Sequence, residues 1–522
     1  MVNVRLQTFL ESNNAYVPYQ TGFRKGRSTV DHLVKLTDRI LRAFDSGEHL
    51  VAVFFDIKGA YDMTWRYGIL QNMYKYNLRG NLPKFIKSFL EDRKFCVRIG
   101  DINSKEYVLE NGVPQGSTLS CSLFGIAINE IAKGVEESID KCLYVDDLMV
   151  CCSGKTVGTI TRNLQTAINI ICHNANAVGY VLSEEKTKVV HFCRLRKPHY
   201  DPVLFMNNRI ISVVQEVKFL GLTFDRGLRW SKHLENVAAT CRKSLNIMRV
   251  LAHHRWGAHP KTLLDIYKAL ILSRMDYGCA AYSTCGSNTL LEKLDKIQNL
   301  AIRYSLGAYP TSPVTSLHVE ANIPPLALRR KQIVANYYIK VRIDDKHPNF
   351  ISLTDATTIA RLNRCRSLGV RAREVLNYLQ LDNVDFTNMS SIARRELVKT
   401  KIYERWSEQW SETDTALKKI KQSLDPLFYI DVGRLNLIRL YRLRLGHTAL
   451  THGYLLAGEE RPLCEQCGVI LTPHHIISVC PQYTDVRVLF NIDPAWENNF
   501  KNKEQCKNTL AFIQRIGIAN DL

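Results

Sequence analysis

The first half of the chain alternates between helical stripes and short apolar runs. From Val30 to Leu41, apolar residues recur every three or four positions, which predicts a helix with one buried face. The run from Val51 to Phe55 is apolar at every position, which predicts a strand covered on both faces. The stretch CLYVDDLMVCC places Asp146 and Asp147 between two β-prone runs, which predicts a hairpin with carboxylates at its turn.

The same patterns predict further elements of both types along the chain. They indicate helices over 67–76, 83–90, 119–132 and 157–177, hairpin strands in CVRIGD and YVLENGV, and strands in LSEEKTKVVHF and EVKFLGLTFD. The basic loop RLRKPHYDP separates the last two strand segments. From Trp230 to about Arg342 the spacing is helical, and a second helical stretch follows a predicted linker over 344–363.

The amino-acid composition indicates what kind of partner the chain would bind. Lys and Arg number 70 against 50 Asp and Glu, and the net charge of +20 favours a polyanion such as nucleic acid, although a solvated cationic surface fits the charge alone equally well. The apolar run 119–128 is shorter than the roughly 20 residues that span a bilayer, so no membrane partner is expected. The 15 cysteines are odd in number and irregularly spaced, and no signal peptide is visible. We therefore expect an intracellular protein of the nucleus or the cytoplasm.

Three aspartates carry the candidate chemistry. Asp56 closes the predicted buried strand, while Asp146 and Asp147 occupy the predicted hairpin turn. Carboxylates at adjacent strand ends are ligands for Mg²⁺ or Mn²⁺, which are hard cations that prefer oxygen. Nucleotidyl transfer uses two such ions about 3.5 to 4 Å apart, which activate the 3′-hydroxyl and stabilise the leaving oxygen. The set of three, rather than any single aspartate, predicts a nucleotidyl-transfer site.

Six blocks of sequence point to one family. In chain order they are QTGFRKGRSTVDHL, FFDIKGAYDMTW, NGVPQGSTLSCSLFGIAIN, LYVDDLMV, LSEEKTK and VKFLGLTFDRGLRWSKHL. They resemble the successive motifs of reverse transcriptases from jockey-like non-LTR retrotransposons. The resemblance covers roughly residues 5–345, and 400–490 resemble the C-terminal tail of that family. It implies an α+β fold of the right-hand polymerase class, with an antiparallel palm sheet, partial fingers and a helical thumb.

The resemblance also implies roles for single residues. Asp56, Asp146 and Asp147 would hold Mg²⁺ (or Mn²⁺), and the backbone carbonyl of Ile57 would be a further ligand. Tyr61 would stack under the deoxyribose of a dNTP and clash with a 2′-hydroxyl.

Five more positions match the nucleotide and template contacts of the family. Gln115 and Gly116 would contact the template and the incoming nucleotide, where glycine lets the backbone approach closely. Lys186 would protonate the departing pyrophosphate. Arg24 and Arg27 lie in the template-side loop, and their guanidinium groups suit phosphate. Taken singly, each of these residue types is as common in a core or on a surface, so the assignments depend on their register with the aspartates.

Near the end of the chain, Cys464, Cys467, His475 and Cys480 form C-x2-C-x7-H-x4-C, which is close to the spacing of structural Zn²⁺ sites. His474 is an alternative ligand because spacing does not rank adjacent histidines, and a metal-free group of cysteines also fits. Upstream, RLNLIRLYRLRLGH carries four arginines among leucines and is a candidate nucleic-acid-binding helix.

These patterns predict four parts: partial fingers and palm over 1–228, a helical thumb over 229–345, a helical linker region over 346–430, and a basic helix with a CCHC zinc-knuckle-like tail over 431–522. The chain starts just before the GFR block and shows neither endonuclease nor RNase H motifs. We therefore expect N-terminally shortened fingers and neither of those two activities.

The leading functional hypothesis is an RNA-directed DNA polymerase that adds dNTPs to a primer 3′ end by two-metal catalysis. Its partners would be an RNA template, a DNA primer and dNTPs, and the oligomeric state stays open. The alternative is a catalytically inactive nucleic-acid-binding remnant or a domesticated retrotransposon protein. A maturase-like role of the group II intron type ranks third, because it fits the polymerase motifs but not the pattern from GFR to the tail.

Overall fold

The computed structural model describes residues 1–195, 199–283, 288–355 and 367–522. Parts of the predicted loop RLRKPHYDP and of the predicted linker over 344–363 lie outside these ranges. The chain divides into two compact units. The N-terminal unit comprises Met1–His233, Ala280–Cys285 and Lys340–Arg371, and the C-terminal unit comprises Leu234–Cys279, Gly286–Ile339 and Ala372–Leu522.

Strands occur between residues 49 and 225. They are β1 (His49–Phe55), β2 (Lys94–Phe95), β3 (Arg98–Ile99), β4 (Ile102–Asn103), β5 (Tyr107–Val108), β6 (Asp140–Tyr144), β7 (Asp147–Gly154), β8 (Lys188–Phe192), β9 (Phe205–Met206), β10 (Arg209–Ile210), β11 (Ser212–Val213), β12 (Glu216–Phe219) and β13 (Leu222–Asp225). The helices among them are α1 (Val2–Ser12), α2 (Thr29–Asp45), α3 (Arg66–Lys75), α4 (Asn81–Leu90), α5 (Thr118–Ile128) and α6 (Val157–Ala177).

From residue 231 onward the described elements are helical. They are α7 (Ser231–Leu251), α8 (Pro260–Tyr267), α9 (Ser273–Asp276), α10 (Cys279–Tyr282), α11 (Asn288–Leu306), α12 (Val314–Ala321), α13 (Leu326–Arg342), α14 (Phe350–Thr354), α15 (Leu368–Tyr378), α16 (Ser391–Ser411), α17 (Ala416–Ile420), α18 (Arg434–Leu445), α19 (Ala449–His452), α20 (Tyr454–Ala457), α21 (Thr484–Leu489) and α22 (Lys503–Arg515), with π-helical turns at Lys268–Leu272 and His475–Val479 and 3₁₀ turns at Pro481–Tyr483 and Trp496–Phe500. None of the helices in the described ranges combines the length and the apolar character needed to cross a membrane.

A five-stranded sheet organises the N-terminal unit, in the order β11-β8-β1-β7-β6. The central strand β1 runs antiparallel to both β7 and β8, and only the short edge strand β11 pairs in parallel, with β8. Every residue of β1 is buried, as its uninterrupted apolar run predicts. The predicted hairpin is also confirmed, because β6 and β7 pair in antiparallel register up to the turn that carries the acidic pair.

Helices cover this sheet and supply its core. Helix α6 packs against β7, and α5 packs against α1 and α3. The buried face of α6 recurs every three or four residues, and each isoleucine or leucine on it contributes about 1.5–3 kcal/mol when fully buried. That face consists of Ile160, Leu164, Ala167, Ile168, Ile171 and Ala175.

The strands predicted in CVRIGD and YVLENGV form two very short ladders instead of one long hairpin. Strand β2 pairs with β5, and β3 pairs with β4, over two residues each. Ile99 and Ile102 face each other across the inner ladder, yet they are 79% and 78% exposed. A ladder that buries neither face gains little from side-chain packing, which accounts for its short length.

Described residues of the predicted linker are packed within the N-terminal unit. The His347 and Asn349 side chains are buried. His347 Nε2 lies 3.2 Å from Asp31 Oδ1, and Asn349 Nδ2 donates a hydrogen bond to the Asp31 carbonyl at 2.7 Å. This segment, together with α14, is therefore fixed to α2.

Candidate active site

Asp56 follows the last residue of β1, and its backbone is fixed from both sides. The amide of Ser183 donates to the Asp56 carbonyl at 2.7 Å, and the Asp56 amide donates to Thr187 Oγ1 at 3.4 Å. The Asp56 side chain keeps 39% of its surface exposed. The strand thus ends in a rigidly held residue with a solvent-accessible carboxylate.

The acidic hairpin turn lies at the same edge of the sheet. Tyr144 pairs with Asp147, so Val145 and Asp146 form a two-residue loop. The register also places Leu148 opposite the last residue of β1. Val145 has a φ of 61°, a left-handed conformation that costs a residue with a Cβ roughly 1–2 kcal/mol. Backbone strain of this kind concentrates at functional sites, where the surrounding structure enforces it.

The charges of Asp56 and Asp146 act on the third aspartate, Asp147. Burial, followed by the charges of Asp146 and Asp56, raises the pKa of Asp147 to about 6. The carboxylate oxygens of the three aspartates do not all lie within 4.8 Å of one another. Three carboxylates match the oxygen donor set that Mg²⁺ or Mn²⁺ requires, so the residues present fit the ion that the sequence predicts.

Two further predicted residues lie beside Asp56. Ile57 pairs with Leu182 in an isolated bridge whose hydrogen bonds are made by its neighbours, so its own carbonyl lies outside the ladder. Lys186 Nζ is 3.8 Å from Asp56 Oδ2, and its side chain is 74% exposed. The structure therefore places Ile57 and the Lys186 ammonium group beside Asp56.

Tyr61 is braced from behind by an aromatic ring. Its ring stacks on Phe124 with a centroid distance of 4.6 Å and an interplanar angle of 4°. Burial, then Cys121 and the charge of Asp146, raise the pKa of Tyr61. The ring thus lies in the field of the acidic turn, with its orientation fixed by packing.

The loop with Gln115 and Gly116 is tied to the segment that carries Tyr61. The Val113 amide donates to the Tyr61 carbonyl at 3.1 Å, and Gln115 Nε2 donates to Asp62 Oδ1 at 3.0 Å. Gly116 has a φ of 91°, which favours glycine. The predicted nucleotide contacts are therefore held next to each other.

The guanidinium groups of Arg24 and Arg27 are engaged by carboxylates. Arg24 binds Glu11 through two hydrogen bonds of 2.7 and 2.8 Å. Arg27 Nη1 lies 2.8 Å from Asp344 Oδ2. Both arginines brace the loop in which the sequence places them, and their predicted contact with template phosphate stays a prediction.

Gly22 lies directly against the acidic turn, although the sequence motifs imply no role for it. The Thr21 amide donates to the Leu143 carbonyl at 3.0 Å, so this loop covers the outer edge of β6. A Cβ added at Gly22 would lie 2.5 Å from the Val145 amide nitrogen. The close approach explains the glycine in QTGFRKG, because only a residue without a side chain lets the loop touch the acidic turn.

Comparison with known proteins supplies the identity of this region. Residues 1–224 match the family model described as "Reverse transcriptase (RNA-dependent DNA polymerase)". This region is a reverse transcriptase domain. The match confirms the resemblance predicted from the six blocks, and the sheet that carries the aspartates is the palm of a right-hand polymerase fold.

Relatives of the reverse transcriptase domain come from mobile elements. The chain is 27% identical over 354 residues to the RNA-directed DNA polymerase from mobile element jockey of Drosophila melanogaster. The aligned region covers 67% of this chain and 38% of the relative. It is 25% identical over 370 residues to the probable RNA-directed DNA polymerase from transposon X-element of the same species, with 70% and 40% covered. The chain thus spans about two fifths of the length of these curated relatives. A solved telomerase structure from Candida albicans is similar at 13% identity and a TM-score of 0.33, with 68% of this chain and 56% of that chain covered.

In the sequence after the reverse transcriptase domain, the four side chains of the predicted Cys/His group lie close together. The ligand atoms of Cys464, Cys467, His475 and Cys480 all lie within 4.8 Å of one another. Cys480 Sγ is 3.7 Å from Cys464 Sγ and 3.9 Å from Cys467 Sγ. A tetrahedral zinc ion with Zn–S bonds of about 2.3 Å separates its sulfurs by about 3.8 Å. The four side chains fit zinc.

Geometry also separates the two adjacent histidines. His475 Nε2 is buried and makes no hydrogen bond with any described residue. The His474 ring lies instead 5.9 Å from the Trp496 ring. His475 is therefore the imidazole that completes the group of cysteines.

The interpretation of α18 as a nucleic-acid-binding helix is wrong for two of its arginines. Arg434 is 8% exposed, and its guanidinium donates hydrogen bonds to five backbone carbonyls. Arg444 is 3% exposed and forms a two-point ion pair with the buried Glu320, at 2.7 and 3.1 Å. These two guanidinium groups satisfy buried acceptors, so they are unavailable to phosphate.

Proposed function

We propose that this chain is an RNA-directed DNA polymerase that adds dNTPs to the 3′ end of a DNA primer on an RNA template. The observation that carries the proposal is the meeting of Asp56, Asp146 and Asp147 at one edge of the palm sheet of a reverse transcriptase domain. The names of its relatives, which are RNA-directed DNA polymerases, support the same activity.

In this proposal the aspartates hold two Mg²⁺ or Mn²⁺ ions. When bound, the ions would activate the primer 3′-hydroxyl and stabilise the charge that develops on the leaving pyrophosphate. The carbonyl of Ile57 provides a further oxygen ligand because it lies outside the strand ladder. The raised pKa of Asp147, at about 6, still leaves this carboxylate ionised at neutral pH, as a metal ligand must be.

Nucleotide selection falls to Tyr61 and to the loop tied to it. A ring held flat against Phe124 cannot retreat easily, so it would exclude a substituent at the 2′ position of the sugar. Gln115 and Gly116 lie on the loop bonded to that segment and would contact the template and the base of the incoming dNTP. Together these residues favour deoxyribonucleotides by shape.

Cationic groups complete the proposed site. Lys186, at 3.8 Å from Asp56 and largely exposed, would donate a proton to the departing pyrophosphate. Arg24 and Arg27 hold the template-side loop through their carboxylate partners and would present their remaining N–H groups to template phosphates.

The cysteine group is proposed as a structural zinc site. Cys464, Cys467, His475 and Cys480 would fill all four positions of a tetrahedral ion, which leaves no open position for catalysis. The Cys464 amide already donates to the Val469 carbonyl at 2.8 Å, which closes the turn that carries the first two thiols.

Primer extension on poly(rA)/oligo(dT) with Mg²⁺ or Mn²⁺ tests the polymerase proposal. The Asp146→Asn, Asp147→Asn double variant should lose extension by at least about 10²–10³-fold, because charge stabilisation at the reacting centre disappears. Asp101→Asn is the matched control, since Asp101 is fully exposed at the turn between β3 and β4, outside the five-stranded sheet. Absence of extension by the wild type, with salt-sensitive duplex binding intact, would overturn the proposal in favour of an inactive nucleic-acid-binding remnant.

A further inference from the structure

A second group of metal-type ligands lies in the reverse transcriptase domain. His49, His191, Cys193 and His199 offer ligand atoms that all lie within 4.8 Å of one another. The first three side chains are buried, and His199 is half-buried. His49 begins β1 whereas Asp56 follows its end, and a strand of this length at about 3.3 Å per residue separates the two sites by about 20 Å. The cluster is therefore distinct from the aspartate site.

We propose that these four side chains form a structural site for Zn²⁺ with three imidazole ligands and one thiolate. Imidazole and thiolate select borderline and soft ions of the zinc class over Mg²⁺. Four protein ligands without an open position are the mark of a structural rather than a catalytic zinc.

The palm sheet itself brings the ligands together. Strands β1 and β8 are adjacent, and their register pairs Val51 with His191. His49, two residues before Val51, therefore points to the same face of the sheet as His191, because side chains alternate along a strand. His49 Nδ1 and His191 Nε2 are 2.9 Å apart. Zn–N bonds of about 2.0–2.1 Å in a tetrahedron separate two nitrogens by about 3.4 Å. An ion bound to both nitrogens would therefore replace the hydrogen bond between them, with the proton of His49 Nδ1 lost to solvent or moved to Nε2, and would part them by about half an ångström.

The third histidine closes the group. The His199 ring centroid lies 4.8 Å from that of His49 and 5.0 Å from that of His191. Cys193 follows β8 directly, and its Sγ accepts a hydrogen bond from the Leu195 amide at 3.3 Å. This contact fixes the position of the sulfur, and the thiolate is the form of cysteine that binds metal.

A carboxylate outside the cluster orients one of its ligands. His191 Nδ1 lies 2.8 Å from Asp201 Oδ1 and 3.4 Å from Arg226 Nη2. The carboxylate is the nearer partner and only accepts, which assigns the proton to Nδ1. His191 Nε2, the nitrogen that faces His49, is then left with its lone pair. Carboxylate–histidine pairs of this kind accompany histidine ligands in metal sites and fix their tautomer.

One positive group lies next to the cluster. Arg226 Nη2 donates to His199 Nε2 at 3.0 Å, and it lies 2.9 Å from Asp201 Oδ1. Because a guanidinium only donates, Arg226 occupies the lone pair of His199 Nε2, so an ion bound at His199 would displace this hydrogen bond. The Asp201 carboxylate offsets the charge of Arg226. The competing arrangement is a metal-free network of hydrogen-bonded histidines, which the following measurements separate from a zinc site.

Zinc content of the full chain tests the proposal. In a Cys464→Ser, Cys467→Ser background, which disables the C-terminal cysteine group, elemental analysis should find about one zinc per chain if this cluster binds as a closed structural site. Replacing His49 with Asn in that background should remove it. His173→Asn is the matched control, because His173 is an exposed histidine on α6, and it should retain the zinc.

A second variant guards against loss of folding. Asp201→Asn keeps all four ligands and should weaken Zn²⁺ binding about 10–100-fold in a chelator competition, as removal of outer partners of histidine ligands does. Substitution with Co²⁺ should give the thiolate-to-metal charge-transfer band in the control and not in His49→Asn. A zinc-free Cys464→Ser, Cys467→Ser chain that also fails to take up Co²⁺, or equal zinc content in His49→Asn and His173→Asn, would overturn the proposal.

Discussion

At the scale of single residues, Asp147 gives the acidic turn a pH signature. Burial and its two neighbouring carboxylates raise its pKa from 3.8 to about 6. Between those values the folded chain holds a proton that the unfolded chain releases, so the wild type loses stability as the pH rises through this window. Scanning calorimetry in EDTA should therefore show a higher Tm for Asp147→Asn than for the wild type at pH values above about 6. At pH values below about 4 the two Tm values should be equal.

Both the size and the sign of the Tm difference between Asp147→Asn and the wild type can be tested. Because Asp147 reaches solvent, screening should hold the gain to no more than about 1 kcal/mol. Mg²⁺ should reverse the order, since it would stabilise the wild type more than the variant. Asp101→Asn serves as the control, and a Tm difference for Asp147→Asn that is the same at low and high pH would contradict the electrostatic cause.

The buried ion pair between Arg444 and Glu320 makes a prediction about stability. Glu320 is fully buried, and Arg444 with its charge holds the pKa of that carboxyl below its ordinary value against the opposing effect of burial. Arg444→Met should lower the free energy of unfolding by about 3–5 kcal/mol because it leaves Glu320 charged and unpaired. Urea denaturation should show that adding Glu320→Gln restores most of the loss. A double variant as unstable as the single one would mean that packing, not charge, is lost.

Sequence predicts the aspartates and the buried arginines with unequal success. Asp56, Asp146 and Asp147 stand at the ends of apolar runs, so a local pattern is enough to place each of them at the end of a strand, and the pairing of β1 with β7 brings these ends together. Arg444 meets Glu320, which is 124 residues away, and nothing in the local spacing of arginine and leucine shows which face is buried. Whether a charged residue is buried or exposed is therefore hard to predict when its partner is far away in the sequence.

At the scale of elements, the contact between Gly22 and the acidic turn decides where that turn sits. Gly22→Ala would place a Cβ 2.5 Å from the Val145 amide nitrogen, so the loop or the turn has to move. We expect at least a tenfold loss in single-turnover primer extension, about 1.4 kcal/mol, because small displacements of catalytic groups are costly. Gly158→Ala is the control, since a Cβ there meets nothing within 4 Å. Equal rates for the two variants would show that the loop does not position the aspartates.

Elements were predictable wherever one continuous pattern described them. Helix α6 spans the predicted range 157–177, and β1 contains the predicted apolar run. The order of strands in the sheet follows instead from pairings between distant segments, as when β1 lies between β7 and β8. The His49 and His191 cluster escapes prediction for the same reason, although the local spacing His191-x-Cys193 was a visible signal.

At the scale of the whole molecule, the chain builds its N-terminal unit from separate stretches. The described residues of the stretch from Lys340 to Arg371 belong to that unit, although more than a hundred residues of largely helical sequence precede them. His347 reaches Asp31 across a sequence separation of 316 residues. The sequence features that predict a linker are local, so they do not predict that this segment packs against α2.

The return of this segment to α2 predicts a stability effect confined to one unit. Asp31 is fully buried, and its carboxylate lies 3.2 Å from His347 Nε2 and 3.5 Å from Lys340 Nζ. His347→Leu removes one hydrogen-bond partner of this buried carboxylate, so it should cost about 1–3 kcal/mol. Hydrogen exchange should speed up in α2 and α14 and stay unchanged in α18 of the C-terminal unit. Ile351→Ala, at a side chain that is 75% exposed, should leave exchange in α2 as in the wild type. If both variants exchanged alike, the segment 344–355 would be an accessory to the N-terminal unit rather than part of its core.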